Sequence, residues 1–158
     1  MTQKITPCLW FNRNAQEAVD FYISVFKDGK IIQTSYYTES SEHGKAGEVL
    51  LIEFDMNGQR FQALNGGIDF EYTHSVSMSL GCKDQAEIDY YWDALSAGGK
   101  IEQCGWLQDK FGLYWQICPE NVGKYLTGDP KKVDAYMKAM MKMIKLDIAT
   151  LDRAYNEQ

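Results

Sequence analysis

The sequence predicts an α+β fold made of one unit used twice, with helices appended. Three observations carry this. A strand-like run, an amphipathic helix and further strand-like runs occur in residues 3–67 and recur in residues 74–118. Turn residues separate the runs at short intervals in both halves, as packed strands require. After Pro119 the apolar spacing becomes helical and stays so to the C-terminus. At 158 residues, the whole chain is expected to form one domain that buries roughly 70% of its unfolded surface.

In the first half, Ile5 to Phe11 is β-rich and Asn12-Arg-Asn14 is a turn. Asn14 is placed as an N-cap, with Glu17 as its capping-box partner. Ala15, Ala18, Val19, Tyr22, Val25 and Phe26 then recur at helical spacing, giving a helix of about 13 residues. Gly29 is expected to cap its end in the left-handed conformation. Ile31 to Thr38 is a second strand, and the polar segment Glu39 to Gly47 a loop. Val49 to Asp55 and Arg60 to Asn65 are strands joined by Asn57-Gly58, the signature of a tight hairpin. Ile68 to Thr73 links the halves.

The second half opens with a strand over Ser75 to Cys82. Asp84 caps the next helix, with Glu87 three residues on, and Ala86, Tyr90, Tyr91, Ala94 and Leu95 are its apolar face. Ala97-Gly98-Gly99 ends it. Lys100 to Asp109 is one bent strand or two short ones, because Gly105 interrupts it. A turn at Lys110-Phe-Gly112 leads to the last strand, Leu113 to Cys118. In the extension 119–158, Asp129-Pro130 starts a helix with the apolar stripe Val133, Met137, Met140, Met141 and Ile144. Asp147 caps a final helix carrying Ile148, Leu151, Ala154 and Tyr155. At this spacing the methionines are core or subunit interface, and the extension must dock on its own sheet or on a partner.

Composition narrows the function classes. The net charge of −6 argues against nucleic acid, which needs clustered cations to displace counterions. The basic cluster, Lys131-Lys132 with Lys138, Lys142 and Lys145, is interleaved with Asp129, Asp134 and Asp147 and reads as a solvated helix face. No run approaches the ~18 apolar residues of a membrane span. Without a leader-like start, a cytoplasmic location is the expectation, and Cys8, Cys82, Cys104 and Cys118 read as reduced thiols.

Several stretches together resemble the vicinal oxygen chelate superfamily, which includes glyoxalase I, extradiol dioxygenases and bleomycin-resistance proteins. The narrower resemblance is to its PhnB-like branch, labelled a 3-demethylubiquinone-9 3-methyltransferase domain. They are Pro7-Cys-Leu-Trp-Phe11, Ala18-Val-Asp-Phe-Tyr22, Ala63-Leu-Asn-Gly-Gly67, Tyr91-Trp92, Gly98-Gly99, and Asp109-Lys-Phe-Gly112 with Trp115-Gln116. Met140-Met-Lys-Met143 and Asp147-Ile-Ala149 extend the likeness into the tail. The resemblance implies two βαβββ modules whose curved mixed sheets enclose a cleft, in a homodimer with an unknown small-molecule ligand.

Strand alternation then assigns faces. If Leu9 and Phe11 pack under the first helix, Thr6, Cys8 and Trp10 face the cleft. Gln62 and Leu64 face it from the fourth strand. Val76, Met78 and Leu80 become core, with Ser75, Ser77 and Ser79 opposite. On the last strand Leu113, Trp115 and Ile117 are core, while Tyr114, Gln116 and Cys118 point inward. The resemblance places metal ligands of the superfamily near Thr6, Gln62, Ser75 or Ser77, and Gln116. None is a carboxylate or imidazole, so no metal and no cofactor is expected. Trp10, Gln62, Ser77, Trp106 and Gln116 form a coherent group in which indoles would wall an apolar ligand and neutral groups would orient it. The alternative is that both indoles are core.

The remaining reactive residues read as bland. His74 has no partner at matching spacing and is a loop or strand-edge histidine, and His43 faces solvent. Cys104 lacks an adjacent base and is a buried strand cysteine. Glu48, Glu53 and Asp55 are solvated charges. No glycine-rich phosphate loop follows a strand, so the sequence lacks the marks of a class I methyltransferase. The readings that follow are a metal-independent binding protein, a metal-dependent lyase, isomerase or dioxygenase of the same fold, and a methyltransferase by label only.

Overall fold

The computed structural model describes residues 4–157. The chain divides into two compact units, the first ending at Glu71 and the second beginning at Tyr72. Each holds one four-stranded mixed sheet.

The first unit runs β1 (Cys8–Phe11), α1 (Ala15–Val25), β2 (Lys30–Tyr36), β3 (Val49–Met56) and β4 (Gln59–Asn65). The strand order is β1-β4-β3-β2, with β1 parallel to β4 and the other pairs antiparallel. A parallel pair needs a long crossover, and α1 with the β2–β3 hairpin supplies it. Leu9, Phe11, Ile52, Phe54, Met56, Phe61 and Ala63 are buried on one face of the sheet. Ala15, Ala18, Val19, Tyr22 and Val25 are the buried side of α1, which packs on β3 and β4. Fully burying a side chain such as Phe54 contributes roughly 1.5–3 kcal/mol. Asn57 and Gly58, at φ 50° and 73°, make the β3–β4 turn with both central residues left-handed, as that turn requires.

Three local expectations are corrected here. β1 starts at Cys8 rather than Ile5, because Pro7 has no N–H to give the ladder. Pro7 still accepts a hydrogen bond from the Gln62 N–H, at 2.9 Å. The side chain of Asn14 does not cap α1. The N–H of Ala15 is instead satisfied by Asn65 Oδ1 at 3.0 Å, from the end of β4. The helix stops at Val25 with Phe26 as its cap, so Gly29 is not the capping residue.

The second unit runs β5 (Met78–Cys82), α2 (Gln85–Ser96), β6 (Lys100–Ile101), β7 (Trp106–Gln108) and β8 (Tyr114–Pro119), in the order β5-β8-β7-β6. β5 and β8 are parallel. The topology of the first unit is repeated with shorter strands. Asp84 caps α2 as expected, accepting from Glu87 N–H at 2.9 Å, while the Glu87 carboxylate accepts from Lys83 N–H, one residue before the cap, at 2.9 Å. The buried side of α2 is Ile88, Trp92 and Leu95; of the expected face Leu95 is buried, whereas Tyr90 is exposed. β5 begins at Met78, so Ser75 and Ser77 precede the strand and Val76, expected in the core, is exposed. The reason is the partner: Met78 pairs with Trp115 near the start of β8, and there is little of β8 left to pair upstream.

The tail docks on this second unit. It forms α3 (Val122–Leu126), α4 (Pro130–Met140) and α5 (Ile148–Asn156). Asp129 caps α4 and Asp147 caps α5, both as expected. Gln85 clamps the tail backbone by donating to Leu146 O at 3.1 Å and accepting from Ile148 N–H at 2.9 Å. Cys104 and Gly105 N–H donate to Met143 and Ile144 carbonyls, each at 2.8 Å. Tyr125, Tyr136, Leu146 and Leu151 form the tail's core. The methionine stripe is only partly used: α4 ends at Met140, and Met141 and Ile144 are exposed.

Two predictions follow from these networks. Asn65→Ala should destabilise the protein by roughly 2–3 kcal/mol, since it removes a helix cap and leaves buried groups unpaired. Asn14→Ala should change stability by less than about 0.5 kcal/mol, and denaturant titration of the two variants checks the contrast. The second concerns alkaline pH. Burial pushes the Tyr136 hydroxyl from its ordinary 10.0 up to about 12 and the Cys82 thiol from 9.0 up to about 12. The unfolded chain therefore releases these protons first as pH rises. Their contribution to stability is intact below about pH 9 and is lost as pH climbs toward 12. The Tyr136 hydroxyl is also buried without a hydrogen-bond partner. Tyr136→Phe should raise stability by about 1 kcal/mol at neutral pH and flatten the alkaline fall, as read from melting temperature against pH.

Candidate functional site

Each sheet has a face turned away from its main helix, and alternation sets what that face carries. In the first unit the registers Cys8↔Gln62, Trp10↔Leu64 and Glu53↔Gln62 put Cys8, Trp10, Gln62, Leu64 and Glu53 on one side. Asp55 and Arg60 are directly opposite each other on the same side. Arg60 donates to Asp55 at 2.5 and 3.4 Å and lies 4.0 Å from Glu53. Gln62 Nε2 donates to Glu53 Oε1 at 3.0 Å. The Arg60 hydrogen bond holds the Asp55 carboxyl below the usual carboxylate range. Asp55 is therefore an ionised partner of Arg60 rather than a poised base.

Thr6 lies just before β1, half-buried. Trp10 is engaged by its own module. Its indole N–H donates to Ile68 O at 2.8 Å, and its ring meets Phe70 edge-on at 5.1 Å. It also lies so close over Gly66 that a Cβ there would sit 1.9 Å from the ring.

The second unit carries a different surface. Trp106↔Gln116, Ser79↔Gln116 and Gln108↔Tyr114 share the face away from Leu107, Trp115 and Ile117. Gln116 Nε2 donates to Ser77 Oγ at 2.9 Å, although Ser77 precedes the strand. His74, in the turn before β5, lies over Tyr114 with ring centroids 4.0 Å apart and 5.9 Å from Trp106. His74 Nε2 meets Glu102 Oε2 at 2.8 Å. The structure thus gathers His74, Glu102, Trp106, Tyr114, Gln116 and Ser77 on one module. Ser75 stays in the turn, where its N–H donates to Thr73 Oγ1 at 3.3 Å. His74 is a loop histidine, as its sequence context indicates, but its carboxylate partner lies 28 residues away, where no local spacing reveals it.

Cys8 and Cys118 are poor nucleophiles. Burial pushes the Cys118 thiol up, opposed by the Ser79 hydroxyl, and desolvation raises Cys8. Cys104 packs on Met141, with sulfurs 3.6 Å apart. A thiol held protonated by its surroundings is inert at neutral pH.

The superfamily's metal chemistry can be tested on the donors present. Gln62 is bonded to Glu53 and Gln116 to Ser77. Among the described residues no group of three or more His, Cys, Asp or Glu could hold a metal ion. The residues at the matching positions do not fit a divalent cation, which needs anionic or imidazole ligands.

A cavity of about 370 Å³ lies elsewhere in the first unit, beyond the carboxyl ends of β1 and β4. It is lined by Arg13, Tyr37, His43, Glu48, Val49 and Asn65 among others, and by none of the sheet-face residues named above. Among the described residues, no helix is long and apolar enough to cross a membrane.

Comparison with known proteins agrees with this geometry. The profile of the family described as 3-demethylubiquinone-9 3-methyltransferase matches residues 3–118. No curated protein sequence matches the chain. Among solved structures, the chain is similar to a putative 3-demethylubiquinone-9 3-methyltransferase, the PhnB protein from Bacillus cereus. They are 34% identical with a TM-score of 0.66, over 73% of this chain and 99% of that one. It also resembles protein PA1353 from Pseudomonas aeruginosa, at 22% identity and TM-score 0.62, over 75% and 98% of the two chains. The fosfomycin resistance protein FosX from Listeria monocytogenes, solved with Mn(II) and sulfate, shares the fold at 14% identity and TM-score 0.53, over 79% and 98%. The repeated topology, the matched profile and the Bacillus cereus neighbour give one conclusion: the chain belongs to the PhnB-like family described as 3-demethylubiquinone-9 3-methyltransferase.

Proposed function

We propose that this protein binds a small molecule without a metal, as a cytoplasmic homodimer, and that the second module's sheet face is its principal contact surface. One observation carries the reading. Trp106, Tyr114 and His74 form a continuous aromatic surface beside the Gln116–Ser77 pair. Aromatic walls supply dispersion and burial, and a neutral amide and hydroxyl fix orientation, which is the usual composition of a small-ligand site. Cys8, Gln62 and the Glu53–Arg60 pair belong to the first module's own sheet, where Trp10 packs on Gly66 and Phe70 and Thr6 precedes β1, and Ser75 stays in the turn before β5.

A second reading, an enzyme of the same fold, has one observation in its favour. Glu102 orients the His74 ring through Nε2 at 2.8 Å, and a carboxylate-oriented imidazole can accept or donate a proton. The methyltransferase reading has no such support, since neither module carries a glycine-rich loop between a strand and a helix for a nucleoside cofactor.

The test is a screen of planar aromatic compounds by protein-observed NMR, paired with elemental analysis of protein never exposed to a nickel column. Hits should shift the Trp106 indole and the Gln116 side-chain amide. Trp106→Ala should weaken them about tenfold, or 1.4 kcal/mol, and chelators should leave the melting temperature unchanged. One equivalent of transition metal, removable only with loss of stability, would overturn the metal-independent reading. Stabilisation by S-adenosylmethionine would revive the methyltransferase.

A further inference from the structure

We propose that the cavity in the first module is a separate binding site for a small α-amino acid, held as its zwitterion. The cavity, about 370 Å³, falls at the small end of ligand pockets, roughly 300–1,000 Å³. It opens beyond the carboxyl ends of the parallel strands β1 and β4, beside the first turn of α1. Its two charged walls are Arg13 and Glu48.

Those charges pair loosely and stay open to solvent, with side chains 59% and 40% exposed. Arg13 Nη1 lies 3.7 Å from Glu48 Oε2, close enough for attraction but too long for a hydrogen bond. The guanidinium therefore keeps its fork of donors, which matches a carboxylate bidentately. Glu48 is fixed by the Lys45 N–H on Oε2 at 3.1 Å, and among the described residues no hydrogen bond is made to its Oε1. A guanidinium and a carboxylate this close suit a molecule whose ammonium and carboxylate share one carbon. A simple anion would meet Glu48, and a simple amine would meet Arg13. Arg13 itself holds φ 69°, a left-handed conformation in which the Cβ crowds the following carbonyl at a cost of roughly 1–2 kcal/mol. Such local strain is found where a side chain's placement matters.

Of the remaining lining, Gln16 donates to Asp20, and the polar groups of Tyr37 and Asn65 are also engaged. The Tyr37 hydroxyl donates to Asn65 O. Asn65 spends its amide on Ala15 N–H and Val49 O. The Tyr37 ring and Val49 remain to receive an amino-acid side chain. The wall over the cavity is tightly built. A Cβ at Gly44 would lie 2.3 Å from the Tyr37 ring, and one at Gly67, which sits at φ +74°, would lie 2.6 Å from His43 O. Tyr37 and Glu48 are tied by the Tyr37 N–H on Glu48 O at 2.9 Å, and Gly47 N–H donates to Tyr37 O at 3.0 Å. A preformed pocket of this kind avoids the ordering cost of a mobile loop.

The experiment is an NMR titration of the full chain with L-phenylalanine and L-leucine, compared with 3-phenylpropionate and phenethylamine. The expected result is saturable shifts at Tyr37, Gly44, Gly47 and Gly67 with the amino acids, and at least tenfold weaker binding of the two half-ligands. Arg13→Lys and Glu48→Gln should each weaken binding about tenfold with unchanged melting temperature. Glu48→Gln keeps an oxygen for the Lys45 N–H, so it separates charge from loop structure. Equal binding of 3-phenylpropionate, absence of any saturable shift, shifts confined to Trp106 and Gln116, or wild-type binding in both variants would each overturn the proposal.

Discussion

The buried side chain of Asn65 is the constraint on which the first module depends. Its Oδ1 takes the N–H of Ala15, its Nδ2 reaches the carbonyl of Val49, and its own carbonyl receives the Tyr37 hydroxyl. One residue at the end of β4 thus joins the first turn of α1, the start of β3 and the segment after β2. A helix N-terminus leaves N–H groups that something must satisfy. Here the sheet does it, so the helix is fixed to the strand ends and not merely laid on them. Removing water from a network in which every group is paired strengthens it and makes any missing member expensive.

Asp109 does the corresponding work in the second module, from a different place. It is 2% exposed, and its carboxylate accepts from the N–H groups of Phe111 and Leu113 at 2.8 and 3.1 Å and from the Trp115 indole at 2.8 Å. It closes the turn before β8 and holds that strand's largest core side chain. Asn65 and Asp109 are the two buried polar side chains among the described residues. The modules share a topology yet secure it differently, a helix cap in one and a strand-entry turn in the other. The second module also spends its tail for support: Gln85 imitates a peptide group toward Leu146 and Ile148.

What the sequence reveals follows from how local each cause is. Alternation at Leu9 and Phe11 and at Leu113, Trp115 and Ile117 is borne out, because a buried sheet face imposes period two on its own strand. The Asn57-Gly58 turn and the caps at Asp84, Asp129 and Asp147 are legible for the same reason. Ser75-Val-Ser77 alternates as well but finds little strand to pair with, and alternation alone cannot show where a partner ends. On α2 the tyrosines at 90 and 91 imitate an apolar face that Ile88, Trp92 and Leu95 in fact provide. Asn14 looks like a cap but is displaced by a residue 51 positions later in the chain. The His74–Glu102 pair is invisible for the same reason, since its members meet only through the fold.

The two sheet faces have diverged further than their cores. The first is an ionic ladder in which Arg60, Asp55, Glu53 and Gln62 satisfy one another. The second is a stack of rings with one amide–hydroxyl pair. A ligand displaces self-satisfied ion pairs only if it restores their hydrogen bonds, so such a face discriminates by charge and gives little net affinity. Rings give affinity to almost any flat molecule and discriminate weakly. The two copies of the repeat therefore carry opposite surfaces on one topology. The difference is chemical and not architectural: amides and hydroxyls stand where a cation would need imidazole or carboxylate, with Gln62 engaged by Glu53 and Gln116 by Ser77.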